Sequence, residues 1–470
     1  MTSSVALPFW LVLILIVFAA IGIVDRVFAP SVRWFFHRRV NQAIDELNQR
    51  LDMRIQPFKL TRRQTHIDRL IYDPKVVEAV DAEARATGTP RAVVMKRAER
   101  YAREIVPSFS VTTYFGFGTK AARWISEFVY RVRLGYVDDE ALKKIDPEAT
   151  VVFVMNHRSN MDYVLVTYMA SSRASLSYAV GEWARVWVLQ NLIRSMGAYF
   201  IRRNSGDELY RRVLGRYVAM ATREGVTQAV FPEGGLTRDG LIKEPRLGLL
   251  SYMVSGFEPR SSRDIVFVPV GLNYDRVIED RILTAKAERE ISGRDFRVRM
   301  SAILAFVGNL IKLRWQGRLY RFGYACVSFG RPISLSEWQA ENGVDFAERD
   351  REKLFEGVQR LGNDLVAAIG DIVPALPVAL AAHVFLESGE RWMSEFELKS
   401  AVFGVIKRLE GQGAHVHIPR ADRDYALSSG LRMLTLRHLV VVNDEWLYRA
   451  NPEERLLLSY YANSIAHLLR

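Results

Sequence analysis

His157 and Asp162 stand five residues apart in NHRSNMD (Asn156–Asp162), where the apolar run TVVFVM gives way to a polar turn. An imidazole whose second ring nitrogen is held by a carboxylate is what general-base chemistry needs: the carboxylate fixes the tautomer and stabilises the imidazolium as it forms. On one continuous helix a five-residue offset is about 140° around the axis and would part the two side chains. They meet if His157 precedes a helix and Asp162 lies in its first turn. Ser159–Asp162 also matches a capping box, which accounts for Asp162 without catalysis. Both readings stay open on this segment alone.

Three further blocks follow. In GAYFIRR (Gly197–Arg203) an apolar stretch delivers Arg202 and Arg203, and a guanidinium fork suits a phosphate dianion. Adjacent arginines also end many elements as solvated charge. In VFPEGGLTRDG (Val230–Gly240) a strand runs into Pro232-Glu233-Gly234-Gly235. Glycines there let backbone approach a ligand, and Glu233 can bind hydroxyls, though a Gly-Gly turn is also ordinary loop chemistry. Arg238, Lys243 and Arg246 make the loop cationic. In VPVGLNYDRVIED, Pro269 is expected to end a strand, with structural roles for the rest. The chain has no G-x-x-x-x-G-K-[ST], G-x-S-x-G or H-E-x-x-H, so P-loop, α/β-hydrolase and zincin readings lose their main support.

These residues need elements to hold them. Apolar runs at TVVFVM, Thr227–Phe231, Asp264–Leu272 and Tyr324–Gly330 read as strands with helices between. The alternation predicts an α/β domain over 149–340, with chemistry on loops at strand ends. Residues 26–148 and 341–470 read as helical regions. Ser301–Ile311, flanked by Arg297, Arg299, Lys312 and Arg314, is too short to span a bilayer and reads as an interfacial segment or a core helix.

Taken in order, the four blocks resemble the glycerolipid acyltransferase superfamily, whose signature is N-H-x-x-x-x-D, an arginine block, a strand-borne E-G block and a proline block. HRSNMDY, GAYFIRR, FPEGG-x-TR-x-G and YDRVIE are most similar to the glycerol-3-phosphate and dihydroxyacetone-phosphate branch. VSFGRPISL and LLSYYANSIAHLL extend the resemblance over about 150–470, while Leu236 stands where the family usually has Arg. The resemblance implies an acyltransferase-like sheet flanked by helices and direct acyl transfer to a phosphorylated glycerol acceptor. His157 would be the base, oriented by Asp162. Arg202, Arg203, Arg238 and Lys243 would be candidates for the acceptor phosphate, with Glu233 and Gly234 near its hydroxyls. The donor would be acyl-CoA or acyl carrier protein, with no metal or bound cofactor. Dihydroxyacetone phosphate or lysophosphatidate as acceptor, and a degenerate membrane adaptor, are the alternatives.

Composition sets the surroundings. The 470 residues are 49% hydrophobic and 25% charged, the balance of a folded chain. Cys326 is the only cysteine, so no intramolecular disulfide or cysteine zinc cage forms. The net charge of +12 points to anionic partners. Val5–Val24 carries no charge over 20 residues, about 30 Å as a helix. It is expected to be a transmembrane anchor (residues 1–25). Arg26, Arg33, Arg38 and Arg39 follow, placing the rest on the cytoplasmic face of the membrane. The positive charge is then read as attraction to anionic lipid and substrates, not to nucleic acid.

Overall fold

The structure is a computed structural model, and it describes residues 53, 55–171, 174–181, 187–202, 205–285, 322–348, 350–418 and 423–469. The Val5–Val24 run, the basic cluster after it and Ser301–Ile311 lie outside the described residues. Among the described residues no helix is long and apolar enough to cross a membrane.

One sheet organises the chain. Its strands are β1 (Arg131–Val137), β2 (Thr150–Met155), β3 (Ser177–Val180), β4 (Tyr199–Phe200), β5 (Gln228–Val230), β6 (Ile265–Tyr274), β7 (Tyr324–Phe329) and β8 (Ile333–Ser334). Their order is β1-β7-β6-β2-β5-β3-β4, with β8 also on β6. Strands β2 to β6 run parallel, β7 and β8 run antiparallel to β6, and β1 runs parallel to β7. The fold is mixed α/β, with a mostly parallel sheet flanked by helices. β2 and β6 are buried at every position, as strands covered on both faces must be, which is why they read as unbroken apolar runs.

The expected boundaries shift. Residues 26–148 are not helical throughout, because Arg131–Val137 (RVRLGYV) adds an edge strand beside β7. Its two arginines and exposed Leu134 give it the mixed surface of an edge, not the apolar signature of the central strands. The region 341–470 is helical apart from a hairpin of β9 (Val440–Val442) and β10 (Tyr448–Ala450). Pro269 does not end a strand; it lies inside β6 opposite Val154. Its carbonyl accepts the Gly330 N–H at 2.9 Å, just past the end of β7. The N–H and C=O of one strand residue face the same neighbour, so the donor that proline lacks falls in the gap between β7 and β8.

Helices bury the sheet. One core cluster joins Val152 and Val154 of β2, Val230 of β5 and Phe267 of β6 to the helices Arg91–Ile105, Glu208–Arg223, Leu247–Val254 and Arg351–Asp371. In the C-terminal region Pro377–Glu387 (PVALAAHVFLE) is apolar nearly all round. Such a helix is stable only inside a bundle, and Glu395–Gly411, Arg423–Leu436 and Arg455–Ala462 pack around it.

The N-terminal helices dock on Glu208–Arg223 through a defined polar contact. Asp73 caps the Pro74–Thr87 helix by accepting the Lys75 N–H at 3.0 Å. The same carboxylate takes both arms of Arg216 at 2.8 and 2.6 Å. Asp73→Ala is therefore expected to lower unfolding free energy by about 2 kcal/mol, roughly half from the cap and half from the largely buried ion pair. Urea denaturation checks it, and a loss below about 0.5 kcal/mol would show that the contact does not hold the layer in place.

Candidate active site

β2, β5, β3 and β4 are parallel, so the segments that follow them gather along one edge of the sheet. His157 follows β2, Phe231–Gly235 follows β5 and Arg202 follows β4. Three of the four blocks thus share an edge, the usual place for chemistry in a parallel sheet.

His157 is positioned first through its backbone. The Asn156 amide donates to the Leu272 carbonyl and accepts the Leu272 N–H, both at 2.8 Å, pairing with β6 as another strand residue would. The His157 N–H then donates to Glu233 Oε1 at 2.9 Å, and its carbonyl accepts the Thr237 N–H at 3.0 Å. The ring stacks on Phe231, centroids 3.9 Å apart, with the Tyr163 ring edge-on at 5.5 Å.

Asp162 fixes the imidazole. Its Oδ2 lies 2.9 Å from His157 Nδ1 and also accepts the N–H groups of Arg158 at 2.7 Å and Ser159 at 3.0 Å. Its Oδ1 accepts the Tyr274 hydroxyl at 2.6 Å. A carboxylate in such a ring of donors only accepts, so Nδ1 carries the proton and Nε2 keeps its lone pair, the form that general-base chemistry needs. The Met161–Met169 helix starts one residue before Asp162, so its first turn brings the pair together and its N-terminal dipole favours the charge. The reciprocal capping box is not formed, since the helix is capped by Asn160 without a side-chain bond and the Ser159 hydroxyl accepts the Met161 N–H; Asp162 accepts the Ser159 N–H and holds the ring.

The other predicted residues separate. Glu233 is buried, and its two oxygens accept the N–H groups of His157 and Lys243, the latter at 3.2 Å, so it clamps the loop backbone. Burial pushes its carboxyl up to about 7. Arg202 is paired within the fold. Both arms of its fork hold Glu104 at 2.9 and 2.6 Å, and its guanidinium lies 5.0 Å from the Tyr101 and Tyr210 ring centres. That fork is occupied by a carboxylate of the Arg91–Ile105 helix, which also raises the arginine's proton affinity. Arg203 lies outside the described residues. Gly234 has φ +70°, and a Cβ there would sit 2.4 Å from Arg246 Cδ. Arg238 and Lys243 are half-buried on the same loop and remain the described cations among the predicted set. Among the described residues no group of three or more His, Cys, Asp or Glu is arranged to hold a metal.

Residues 136–273 match the acyltransferase family model, and residues 307–470 match that of the glycerol-3-phosphate acyltransferase C-terminal region. Both matched stretches are thus similar to acyltransferases of the glycerolipid kind, in line with the resemblance of the four blocks. It is 27% identical to the glycerol-3-phosphate acyltransferase of Pseudomonas putida over 87% of this chain and 49% of that protein. It is likewise 27% identical to that of Xylella fastidiosa, over 87% of this chain and 47% of that protein. The chain spans about half the length of the curated relatives it matches. Among solved structures, the 1-acyl-sn-glycerophosphate acyltransferase of Thermotoga maritima aligns with 54% of this chain and 77% of its own, at 17% identity and a TM-score of 0.30.

Three residues missed in the sequence complete the site. Arg158, fully buried, donates to the carbonyls of Gly240 at 2.6 Å and Ser464 at 3.2 Å. Ser464 lies in the second matched stretch and Arg158 in the first, so the two stretches meet behind the catalytic turn. Gly240 (φ +86°) is pressed so close that a Cβ would lie 1.9 Å from the Tyr460 carbonyl oxygen. Glu279 accepts the Ser159 hydroxyl at 2.7 Å and the Asn160 backbone and side-chain amides at 3.2 and 3.0 Å. Tyr274 and Glu279 both stand in NYDRVIED, and the signal that could have marked them is a tyrosine at the end of a strand that parallels β2 and a carboxylate in the turn after it.

Glu233 makes stability depend on pH. Its folded value of about 7 exceeds the usual 4.5, so the folded state holds this proton more tightly than the unfolded chain. Its contribution is full below about pH 4.5 and is lost as pH rises towards about 7. Glu233→Gln is expected to flatten the fall in unfolding free energy between pH 5 and 7, and to impair the site because an amide NH2 faces one of the two N–H donors. Denaturation across that range is the measurement; an unchanged slope would remove the buried carboxyl from the account.

Proposed function

We propose that the chain is a glycerol-3-phosphate 1-O-acyltransferase, an enzyme that moves a fatty acyl group from a thioester of coenzyme A or acyl carrier protein to the acceptor hydroxyl. The observation that carries the reading is the buried His157–Asp162 pair, its nitrogen–oxygen distance 2.9 Å, set at the edge where the loop after β5 grips the same histidine. The family matches and the names of the relatives support the substrate class.

In this mechanism His157 Nε2 takes the proton of the acceptor hydroxyl as that oxygen bonds to the thioester carbonyl carbon. The carbon–sulfur bond then breaks, and the thiolate leaves with the proton returned by the imidazolium, giving a 1-acyl glycerol phosphate and free thiol. Asp162 supplies the compensating charge while the ring is protonated. Arg238 and Lys243 are the cations assigned to the acceptor phosphate.

Purified protein incubated with palmitoyl-CoA and glycerol 3-phosphate, dihydroxyacetone phosphate or lysophosphatidate should acylate the first. His157→Ala should reduce that turnover on the order of 100- to 10,000-fold, and wild-type turnover in the variant would sink the mechanism. Lys243→Ala should raise KM for the phosphorylated acceptor about 10-fold or more while leaving that for the donor in place. Product from another acceptor alone would move the substrate assignment, and binding with no turnover would favour the adaptor.

Membrane attachment belongs to the same proposal, on the strength of uncharged Val5–Val24 and the arginines behind it. The full chain should resist carbonate extraction, and a chain lacking residues 1–24 should come off in high salt. Release of the full chain by salt alone would remove the anchor.

A further inference from the structure

We propose that Tyr274 is a positioning residue for this reaction: by donating its hydroxyl to Asp162 it takes up part of the carboxylate's charge and keeps His157 a free base near neutral pH. The inference rests on the reading of His157 as general base, and it concerns a side chain that touches neither substrate nor the reacting ring nitrogen.

The geometry is specific. Asp162 presents Oδ2 to the imidazole and to two backbone donors, while Oδ1 faces Tyr274 at 2.6 Å. Tyr274 ends β6 and is 1% exposed, so water does not substitute for its hydroxyl. Burial and the adjoining carboxylate hold its phenol well above the usual range, so it stays a neutral donor. A buried carboxylate beside a histidine would otherwise concentrate its charge on the ring and hold the imidazole protonated, which is useless for a base. Hydrogen bonds to the carboxylate oppose this, and the tyrosine's is the one made by a side chain other than the histidine itself.

Other ionisable groups face the pair. Glu233 and Glu279 approach from the loop after β5 and the turn after β6, and both are pushed upward by burial. Arg158 lies on the catalytic turn, and Lys243 follows on the Glu233 loop. The Tyr163 ring lies edge-on to His157 and to Tyr178, and the phenols of Tyr130 and Tyr178 are held well above the usual range by burial. Because Glu233 titrates close to neutrality, an activity profile alone would mix two groups, and a direct signal from the histidine is needed.

The experiment compares wild type with Tyr274→Phe and with Tyr130→Phe. Tyr130 is the control because its ring lies 5.3 Å from that of Tyr274 while its hydroxyl donates to the Arg276 carbonyl, away from Asp162. In protein carrying 13C-labelled histidine, with the His157 resonance assigned by its loss in His157→Gln, the titration midpoint should rise by about 0.5–1 pH unit in Tyr274→Phe and stay put in Tyr130→Phe. The acid limb of kcat/KM should follow, leaving roughly 3- to 10-fold less free base below it. A midpoint unmoved in Tyr274→Phe, whatever happens to Tm, overturns the proposal, and so does an equal shift in Tyr130→Phe. The resonance titrates whether or not the protein transfers an acyl group, so an inactive wild type would count against the function and not against this coupling.

Discussion

A negative charge that water does not reach governs this site. The Asp162 side chain is fully buried, and an unpaired carboxylate there would cost several kcal/mol. It is held by three donors from its own turn, the His157 ring and the N–H groups of Arg158 and Ser159, and by one from β6, the Tyr274 hydroxyl. Satisfying that charge demands a particular register. β2 ends at Met155 opposite Val270, while β6 continues to Tyr274, so four residues of β6 overhang the catalytic turn. The Asn156 side chain fills the first step of the overhang by pairing with Leu272, and Tyr274 then lies level with Asp162. A slip of one residue would turn Tyr274 to the other face of the sheet.

A second layer holds the backbone around that charge. The loop after β5 grips both the N–H and the C=O of His157 through Glu233 and Thr237, and Arg158 ties the same turn to Gly240 and Ser464. The C-terminal helices are therefore part of how the base is aimed: Tyr460 closes on Gly240 with no room for a side chain. Interior arginine donating to carbonyls is costly to desolvate, and its guanidinium fork serves here to join two segments more than 300 residues apart.

What the sequence disclosed follows from which interactions are local. The pairing of His157 with Asp162 is readable because both lie on one turn, and the central strands because burial on both faces leaves an apolar run. Glu233 and Arg202 have the residue types of ligand contacts, but their partners, the His157 N–H and Glu104, are 76 and 98 residues away, and no local pattern announces them. β3 and β4 are four and two residues long, too short to show periodicity, and β1 carries the mixed pattern of an edge. Pro269 suggested a strand end because proline lacks a donor, yet the sheet changes partner from β8 to β7 at that point and tolerates it.

The same accounting bears on where a dianionic acceptor can sit. Charges inside the edge are already matched: Asp162 by its donors, Arg202 by Glu104, and Glu233 by two amides with its charged form disfavoured. A phosphate brought to this environment adds charge beside Asp162, and like charges close together in a low-dielectric site repel strongly. On the proposed function, part of its neutralisation is assigned to cations whose position is set by the loop rather than by the sheet. Arg238 and Lys243 answer that description: they flank Gly240, and the Lys243 backbone is anchored to the same Glu233 that holds His157. Glu233 thus joins the backbone of the cationic loop to that of the His157 turn.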